Sequence, residues 1–210
     1  MTTTRKLAVV AAGVGAPSST RLLADRLTQA TVAIAKENGI EVEASIFELR
    51  DTAKDVTNNL ITGFPTPKLA SVIETVANAD GLIAVTPVFN ASFNGLFKSF
   101  FDVIDPSALS GQPVLIGATG GSPRHSLVLE YALRPLFAYL HADVLTTGVY
   151  AATEDWAGSS DDSLPSLPDR IDRAARSLAR ALETSDRSQH IKDPWELDSS
   201  FNVTGGFSAE

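Results

Sequence analysis

Short runs of apolar residues alternate with longer amphipathic segments along the chain. Three of these runs are aliphatic and bounded by turn residues, which is typical of strands buried on both faces of a parallel sheet; they lie at 7–12, 81–85 and 113–118. Residues 144–150 are predicted to be the last strand. A further strand is predicted at 42–46, where apolar and polar residues alternate. Because this strand has one polar face, it is expected at or near an edge of the sheet.

Helices are predicted between the strands, where apolar residues recur every three or four positions. The predicted helices start at Ser18 or Ser19, near Leu69, at Gly95, after Arg124 and near Ile171. Pro135 is expected to bend the fourth of them. The segment 52–67 contains Asp, Asn, Gly and two prolines, and it is predicted to be a loop with at most a short turn of helix.

Strands that alternate with helices indicate an α/β fold with three layers. The edge position of the 42–46 strand fits the flavodoxin-like order 2-1-3-4-5 of a five-stranded parallel sheet. The periodicity stops at Ser185, so we divide the chain into a flavodoxin-like domain at 1–184 and a C-terminal tail at 185–210. The tail carries scattered aromatic residues and is expected either to fray or to dock on a neighbouring subunit: Trp195, Phe201 and Phe207.

Composition and charge narrow the class of protein. The 210 residues carry a net charge of -8, which disfavours binding to nucleic acid or to an anionic membrane surface. Cysteine is absent, which excludes disulfides, thiolate metal sites and a cysteine nucleophile. The apolar run near the amino terminus is too short for a signal sequence or a membrane span, and a cytoplasmic protein is therefore expected.

The segment after the first strand offers a site for a phosphate. It contains Gly13, three hydroxyl residues at 18–20, and the start of a helix, whose backbone N–H groups and dipole favour an anion. Ordinary helix capping by serine explains the same residues equally well. The chain has no GxxxxGKS/T motif and no GxGxxG at this turn, which argues against a P-loop NTPase and a dinucleotide-binding Rossmann domain.

Two further loops are expected at the same edge of the sheet. In the segment 86–94, Phe89 can contact a flat heterocycle and Asn90 can hydrogen-bond to its edge; alternatively, Phe89 packs in the core and Asn90 merely tolerates a tight turn. In the segment 119–122, paired glycines permit close approach of a ligand to the backbone, or they simply form the turn before a helix.

Acid–base and metal chemistry receive little support from the sequence. His125, beside Arg124, is interpreted either as a ligand of a nucleotide phosphate or ribose, or as part of a solvated helix start. His141 and His190 are predicted to be structural or exposed. Two acidic pairs follow the last strand and are interpreted as a solvated loop in preference to flanks of a site: 154–155 and 161–162. No His, Asp or Glu spacing indicates a metal site.

Residues 86–98 carry a resemblance to a known family. Their sequence, TPVFNASFNGLFK, resembles the TPxYNxSxxGxLK segment of the NAD(P)H-dependent FMN reductases. The segment 13–21 looks like that family's FMN-phosphate loop, and 119–121 looks like its third flavin-side loop. All three motifs occur in the family's order, and the chain is most similar to the branch that supplies reduced flavin to two-component monooxygenases.

The resemblance implies a flavodoxin-like fold and an enzyme that transfers a hydride from NADPH or NADH to FMN. It places the FMN phosphate on Ser18 and Thr20, with Gly13, Ser19 and Arg21 nearby. It places the isoalloxazine ring along Pro87, Val88, Phe89 and Asn90. It places the pyrimidine side of the ring, or the nicotinamide, beside Thr119, Gly120 and Gly121. Phe89 stands where the family motif has Tyr, so stacking is kept while a hydroxyl is lost.

No catalytic acid or base is implied, because the cofactor carries hydride transfer and the protein positions and tunes it. The resemblance also implies a homodimer or homotetramer, for which the second strand and the apolar helix at 95–104 leave room, and a flavin-dependent monooxygenase as partner. The choice between NADPH and NADH, and between FMN as substrate and as bound cofactor, stays open. The alternatives are an FMN-bound quinone-, azo- or chromate-type reductase, a flavodoxin-like electron carrier, and a module that keeps the fold without a cofactor.

Overall fold

The computed structural model describes residues 3–157, 165–185 and 187. Its strands are β1 Thr3–Ala11, β2 Ile40–Glu48, β3 Gly81–Phe89, β4 Ser92–Phe93, β5 Pro113–Gly120, β6 Asp143–Val144 and β7 Val149–Ala152. Its α-helices are α1 Ser19–Glu37, α2 Ala53–Thr62, α3 Pro67–Ala77, α4 Gly95–Asp102, α5 Arg134–Tyr139 and α6 Leu167–Thr184.

The order of the sheet places β1, β3 and β5 next to one another. The order is β2-β1-β3-β5, and β6 and β7 both pair with the outer side of β5. These pairs are parallel, whereas the short strand β4 runs antiparallel to β3. The predicted order 2-1-3-4-5 is confirmed, with β5 in the fourth position and β6 and β7 together in the fifth.

The fifth strand position is occupied by two short strands, β6 and β7, and residues 145–148 between them are not in a strand. The guanidinium of Arg134 donates to the carbonyl oxygens of Leu145 at 3.0 Å and of Thr146 at 3.2 Å in this segment. The prediction of one continuous strand at 144–150 was therefore wrong in its middle.

Both faces of the sheet are covered by helices, as the three-layer prediction requires. One face packs against α4 and α5 through the fully buried side chains of Phe97 and Phe137. The other face packs against α1 and α6 through Leu27 and Leu178, which are also fully buried. Burial on both faces explains why the central strands are continuous aliphatic runs in the sequence.

The segment 52–67 was wrongly predicted to be a loop. A turn of 3-10 helix at Leu49–Thr52 leads directly into the ten-residue helix α2. Gly63 ends this helix with a φ of 78°, the left-handed conformation that commonly terminates helices. The buried side chains of α2 are only those of Val56 and Asn59, so its sequence lacks the apolar stripe by which helices are recognised.

Pro135 lies at a change in helical winding. One wide π turn covers Leu129–Leu133, and α5 begins directly after it with Pro135 in its first turn. Proline has no N–H and therefore cannot donate to the carbonyl of Tyr131, four residues earlier. A wider turn before the proline accommodates the missing hydrogen bond.

Some predictions concern residues that the structure does not describe. The acidic pair 161–162 lies outside the described residues, as do the tail residues His190, Trp195, Phe201 and Phe207. The helix α6 ends at Thr184, and the division into a domain and a tail stays a prediction. Among the described residues, no helix combines the length and the apolar character that a membrane span requires.

Candidate functional site

Three loops leave the carboxyl ends of β1, β3 and β5 and lie at one edge of the sheet. We refer to them as the first loop, residues 13–20, the second loop, residues 86–94, and the third loop, residues 119–122. Ligands of open α/β sheets bind at this edge. The structure therefore brings together the three segments that the sequence singled out.

The first loop is shaped to accept an anion. The Ser18 hydroxyl accepts a hydrogen bond from the backbone N–H of Arg21 at 3.1 Å and caps α1. A Cβ atom at Gly13 would lie 2.0 Å from the Ser18 Oγ, so only glycine permits this path of the chain. No partner among the described residues accepts from the backbone N–H groups of Val14, Gly15, Ala16 or Ser18. These free donors, together with the amino end of a 19-residue helix, suit a phosphate.

Arg21 is already paired with two carboxylates beside the first loop. Its guanidinium forms ion pairs of 2.8 Å with both Asp25 and Glu48, and the hydrogen bond to Asp25 is the main reason why the pKa of Arg21 is raised. Glu48 also pairs with Arg50 at 3.0 Å, and Arg50 donates to the carbonyl of Gly15 at 2.9 Å. Arg21 therefore belongs to a network that braces the loop, and Glu48 and Arg50 are members that the sequence did not reveal.

The second loop begins as a tight hairpin with an aromatic side chain near its tip. Val88 pairs with Phe93, and Phe89 pairs with Ser92. Between them, Asn90 and Ala91 have φ values of 49° and 67°, the left-handed pair that a type I′ turn requires. The turn interpretation of Asn90 is thus confirmed.

The side chain of Phe89 does not belong to the core. It is 47% exposed, whereas Pro87 and Val88 before it are half-buried. The alternative that Phe89 packs in the core was therefore wrong. Its ring lies at the edge of the sheet, between the other two loops in strand order, where a flat ligand can contact it.

Asn94 joins the second loop to the first. Its side chain is buried, and its Nδ2 donates to the carbonyl of Ala12 at 2.7 Å. Its Oδ1 accepts from the Phe97 N–H at 2.7 Å and caps α4, while its own N–H donates to the Thr86 hydroxyl at 3.2 Å. This role of Asn94 was not predicted from the sequence; an Asn directly before an amphipathic run is the capping signal that points to the residue.

Thr119 joins the third loop to the start of α1. The hydroxyls of Thr20 and Thr119 share a hydrogen bond of 2.8 Å, and both residues are buried. Next to Thr119, a Cβ atom on Gly120 would lie 2.1 Å from the Tyr150 hydroxyl, whereas a Cβ atom on Gly121 would meet nothing within 4 Å. Gly120 is thus required by packing, and Gly121 leaves open space at the surface.

Tyr150 supports the third loop from behind. Its hydroxyl donates to the Ser122 carbonyl at 2.7 Å. Burial, followed by the negative charge of Asp155, raises the pKa of the phenol. Asp155 accepts from the Ala152 N–H at 2.7 Å and forms an ion pair with Arg170. The interpretation of 154–155 as a solvated loop was therefore wrong for Asp155, and Tyr150 is a further residue that the sequence did not single out.

Arg124 and His125 lie in a short 3-10 turn at Pro123–His125, beyond the third loop. The Arg124 Nε donates to the Ser122 hydroxyl at 3.2 Å, and the residue is exposed. His141 is exposed in a turn, as predicted, with a φ of 55° and with its carbonyl accepting from the Gly111 N–H. A role of Arg124 or His125 toward a nucleotide stays a prediction.

Comparison with known proteins identifies the family. The family model for NADPH-dependent FMN reductase matches residues 5–157. The chain belongs to this family. The resemblance noted in the sequence is confirmed, and the matched range contains all three loops.

Two members of the NADPH-dependent FMN reductase family illustrate the similarity. An FMN reductase (NADPH) of Pseudomonas aeruginosa is 37% identical over 179 residues, which cover 85% of this chain and 93% of that protein. The NADH-dependent FMN reductase SfnF of Pseudomonas fluorescens is 37% identical over 179 residues, which cover 85% of this chain and 92% of that protein.

A solved structure is similar over most of the chain. An oxidoreductase from Corynebacterium diphtheriae matches with a TM-score of 0.82 and 45% sequence identity, covering 86% of this chain and 97% of that chain. This match supports the three-layer architecture described above for a member of the FMN reductase family.

Proposed function

We propose that this protein is a cytoplasmic NAD(P)H-dependent FMN reductase that supplies reduced flavin to a monooxygenase or another acceptor. The observation that carries the proposal is the convergence of the three loops, which two buried side-chain contacts join together: Asn94 with Ala12, and Thr20 with Thr119. A site joined in this way is already formed before a ligand arrives, which lowers the entropy cost of binding.

The first loop suits the phosphate of FMN. The backbone N–H groups of Val14, Gly15, Ala16 and Ser18, which have no acceptor among the described residues, favour an anion, as do the hydroxyl of exposed Ser19 and the positive end of the α1 dipole. The first turn of α1 contains no acidic residue that would repel it. We assign the phosphate to Ser18, Ser19 and the neighbouring backbone, with Gly13 and Arg21 shaping the loop and Thr20 fixing the helix start.

The second and third loops suit the ring of FMN. Pro87 and Val88 are half-buried and Phe89 is about half-exposed, so together they offer an apolar surface with one aromatic ring. Asn90 lies beside them with an exposed side chain. Across the edge, Gly121 leaves space in which a ring or a nicotinamide can approach the backbone.

Hydride transfer does not require an ionisable group from the protein. When bound, FMN supplies the ring that accepts a hydride from the nicotinamide. The residues of this chain bind and orient the two ligands, and no catalytic residue is assigned among them. Because one relative is named for NADPH and the other for NADH at the same 37% identity, we propose that both nucleotides serve as donors.

We further propose that the protein forms a homo-oligomer through the surface after the third loop. Phe97, one of the apolar residues of the helix at 95–104, is fully buried within the chain, so that helix does not supply the interface. Instead, Leu127, Tyr131 and Tyr139 expose 61%, 79% and 74% of their surface. Large exposed apolar groups in one region of a chain are typical of a subunit contact. Light scattering of the purified protein measures the oligomeric state.

The proposed activity is tested by following the oxidation of NADH and NADPH through the nicotinamide absorbance, at increasing concentrations of FMN. We expect oxidation that saturates with FMN. If the protein binds FMN but does not oxidise NADH or NADPH, it is an electron carrier and not a reductase. Oxidation that depends on an added quinone, with FMN permanently bound, would identify a quinone-type reductase. The absence of both flavin binding and oxidation would exclude all three functions.

A further inference from the structure

The strand ladder between β1 and β3 lacks one backbone donor at its carboxyl end. Just beyond β1, the N–H of Ala12 donates to the carbonyl of Val85 at 2.9 Å. In a parallel ladder, a residue that donates in this way accepts on its own carbonyl from the residue two positions further along the partner strand. For Ala12 that residue is number 87, which is proline and has no N–H.

The amide of Asn94 replaces the missing donor. Its Nδ2 lies 2.7 Å from the Ala12 carbonyl oxygen, and Asn94 is only 2% exposed. A buried carbonyl oxygen without a hydrogen-bond donor would lower the free energy of unfolding. The contact with Asn94 supplies the donor that Pro87 cannot provide to the Ala12 carbonyl. The same side chain accepts from the Phe97 N–H, and thus holds the end of the first strand and the start of α4 at once.

Thr86 fixes the backbone from which Asn94 reaches Ala12. The Thr86 hydroxyl accepts from the Asn94 N–H at 3.2 Å and donates to the carbonyl of Pro87 at 3.0 Å. Both ends of the second loop are therefore tied to one hydroxyl, and the hairpin that bears Phe89 lies between them. The position of this hairpin relative to the first loop depends on the contact between Asn94 and Ala12.

We propose that Asn94 is the positioning residue that sets the spacing between the first and second loops, and that Pro87 makes this possible by leaving the Ala12 carbonyl free. The proposal rests on the proposed function in assigning the two ends of FMN to these loops. Ser and Asp also cap helices, but Ser is too short to reach Ala12 and a carboxylate has no N–H to donate. Only Asn combines the cap with the donor.

The test compares Asn94→Ser with a capping variant elsewhere. Asn94→Ser keeps an acceptor for the Phe97 N–H and removes the donor to Ala12. The control is Thr66→Ala, because Thr66 caps α3 through the Leu69 N–H at 3.3 Å and lies outside the three loops. We expect Asn94→Ser to weaken FMN binding about tenfold, as the loss of one buried hydrogen bond would. We expect kcat at saturating FMN to stay within about twofold, while Thr66→Ala changes only the thermal midpoint.

A second readout does not depend on FMN binding. Amide hydrogen exchange of the free protein should be faster in residues 13–20 and 86–94 of Asn94→Ser, and unchanged there in Thr66→Ala. Adding Pro87→Ala to Asn94→Ser supplies a backbone N–H toward Ala12. The double variant should therefore reverse most of the decrease in thermal midpoint that Asn94→Ser shows relative to the wild-type protein. If the wild-type protein fails to bind FMN, the proposed function fails while these two measurements still decide the role of Asn94.

Three results would overturn the proposal. The first is an FMN affinity of Asn94→Ser equal to that of the wild-type protein, with only the thermal midpoint lowered, as for Thr66→Ala. The second is unchanged exchange in both loops. The third is a double variant with Pro87→Ala that is no more stable than Asn94→Ser, because the Ala12 carbonyl would then not be the group left without a donor.

Discussion

The hydroxyl groups of Thr20 and Thr119 share a buried hydrogen bond of 2.8 Å, although 99 positions separate the two residues in the chain. Thr20 lies in the first turn of α1, and Thr119 lies at the carboxyl end of β5. The contact therefore joins the loop proposed for the phosphate to the loop proposed for the far side of the flavin ring. Together with Asn94, it makes one site from three separate segments.

Removing both of these hydroxyls should destabilise the fold by less than the sum of the two single removals. Thr20→Val leaves the Thr119 hydroxyl buried without its partner, which costs about 1–3 kcal/mol of the free energy of unfolding. The double variant Thr20→Val with Thr119→Val leaves no buried hydroxyl, so its loss should be smaller than the sum of the single losses. Urea unfolding of the four proteins measures this coupling, and strict additivity would show that the hydroxyls do not interact.

Alanine should be tolerated at Gly121 and not at Gly120. At Gly120 the new Cβ atom would lie 2.1 Å from the Tyr150 hydroxyl, and the tyrosine would have to leave Ser122, with an expected cost of about 1–3 kcal/mol in the free energy of unfolding. At Gly121 nothing lies within 4 Å. Tyr150→Phe in the Gly120→Ala background should recover part of the loss, since it removes the clashing oxygen. Equal stability of the two alanine variants in urea would refute this explanation.

Tyr150 should make the fold less stable at alkaline pH. Burial and Asp155 raise the pKa of its phenol above the ordinary 10.0, so the unfolded chain loses this proton at a lower pH than the folded protein does. The neutral phenol therefore makes its full contribution to the free energy of unfolding below pH 10.0. This contribution is lost as the pH rises through the pKa of the folded state. Urea unfolding from about pH 9 upward measures the decline.

The variant that isolates this pH dependence is Tyr150→Phe. It should show a shallower alkaline decline in the free energy of unfolding than the wild-type protein, because the titrating phenol is absent. The quantity to compare is the slope of the free energy of unfolding against pH, since Tyr150→Phe also loses the hydrogen bond to Ser122 at every pH. Identical slopes for the wild-type protein and Tyr150→Phe would contradict the prediction.

Phe89 should contribute to flavin binding and little to folding. Phe89→Ala removes the exposed ring of the second loop, and we expect FMN binding to weaken about tenfold through the loss of aromatic contact. Surface substitutions of this kind change the free energy of unfolding by about 0.5 kcal/mol or less. Phe89→Tyr keeps the ring and should bind FMN as the wild-type protein does. Flavin fluorescence titration measures both variants, and an unchanged affinity of Phe89→Ala would remove Phe89 from the site.

The fold was largely predictable because β1, β3 and β5 are buried on both faces and therefore consist of aliphatic runs. The helix α2 was not, because it buries only Val56 and Asn59 and has no continuous apolar stripe. The break between β6 and β7 was also hidden; in that segment the backbone carbonyls accept from Arg134, a side chain that reaches them from the preceding helix.

The positions of the three loops at the sheet edge were predictable from glycine, hydroxyl and amide residues after buried strands. The contacts that join the loops were not, because partners far apart in the chain meet only in the folded protein. Arg21 illustrates the limit: the family resemblance placed it near the FMN phosphate, and the structure pairs it with Asp25 and Glu48. The roles of Asn94 and Tyr150 likewise depend on partners distant in sequence.

The most direct test of the central claim is a crystal structure of the protein with bound FMN. We expect the phosphate to lie on the backbone N–H groups of the first loop, at positions 14, 15, 16 and 18, and the flavin ring to lie against Phe89. The distance between Asn94 and Ala12 should stay at 2.7 Å. A flavin bound away from the three loops, or loops that separate to admit it, would contradict the account of a site that is formed before its ligand arrives.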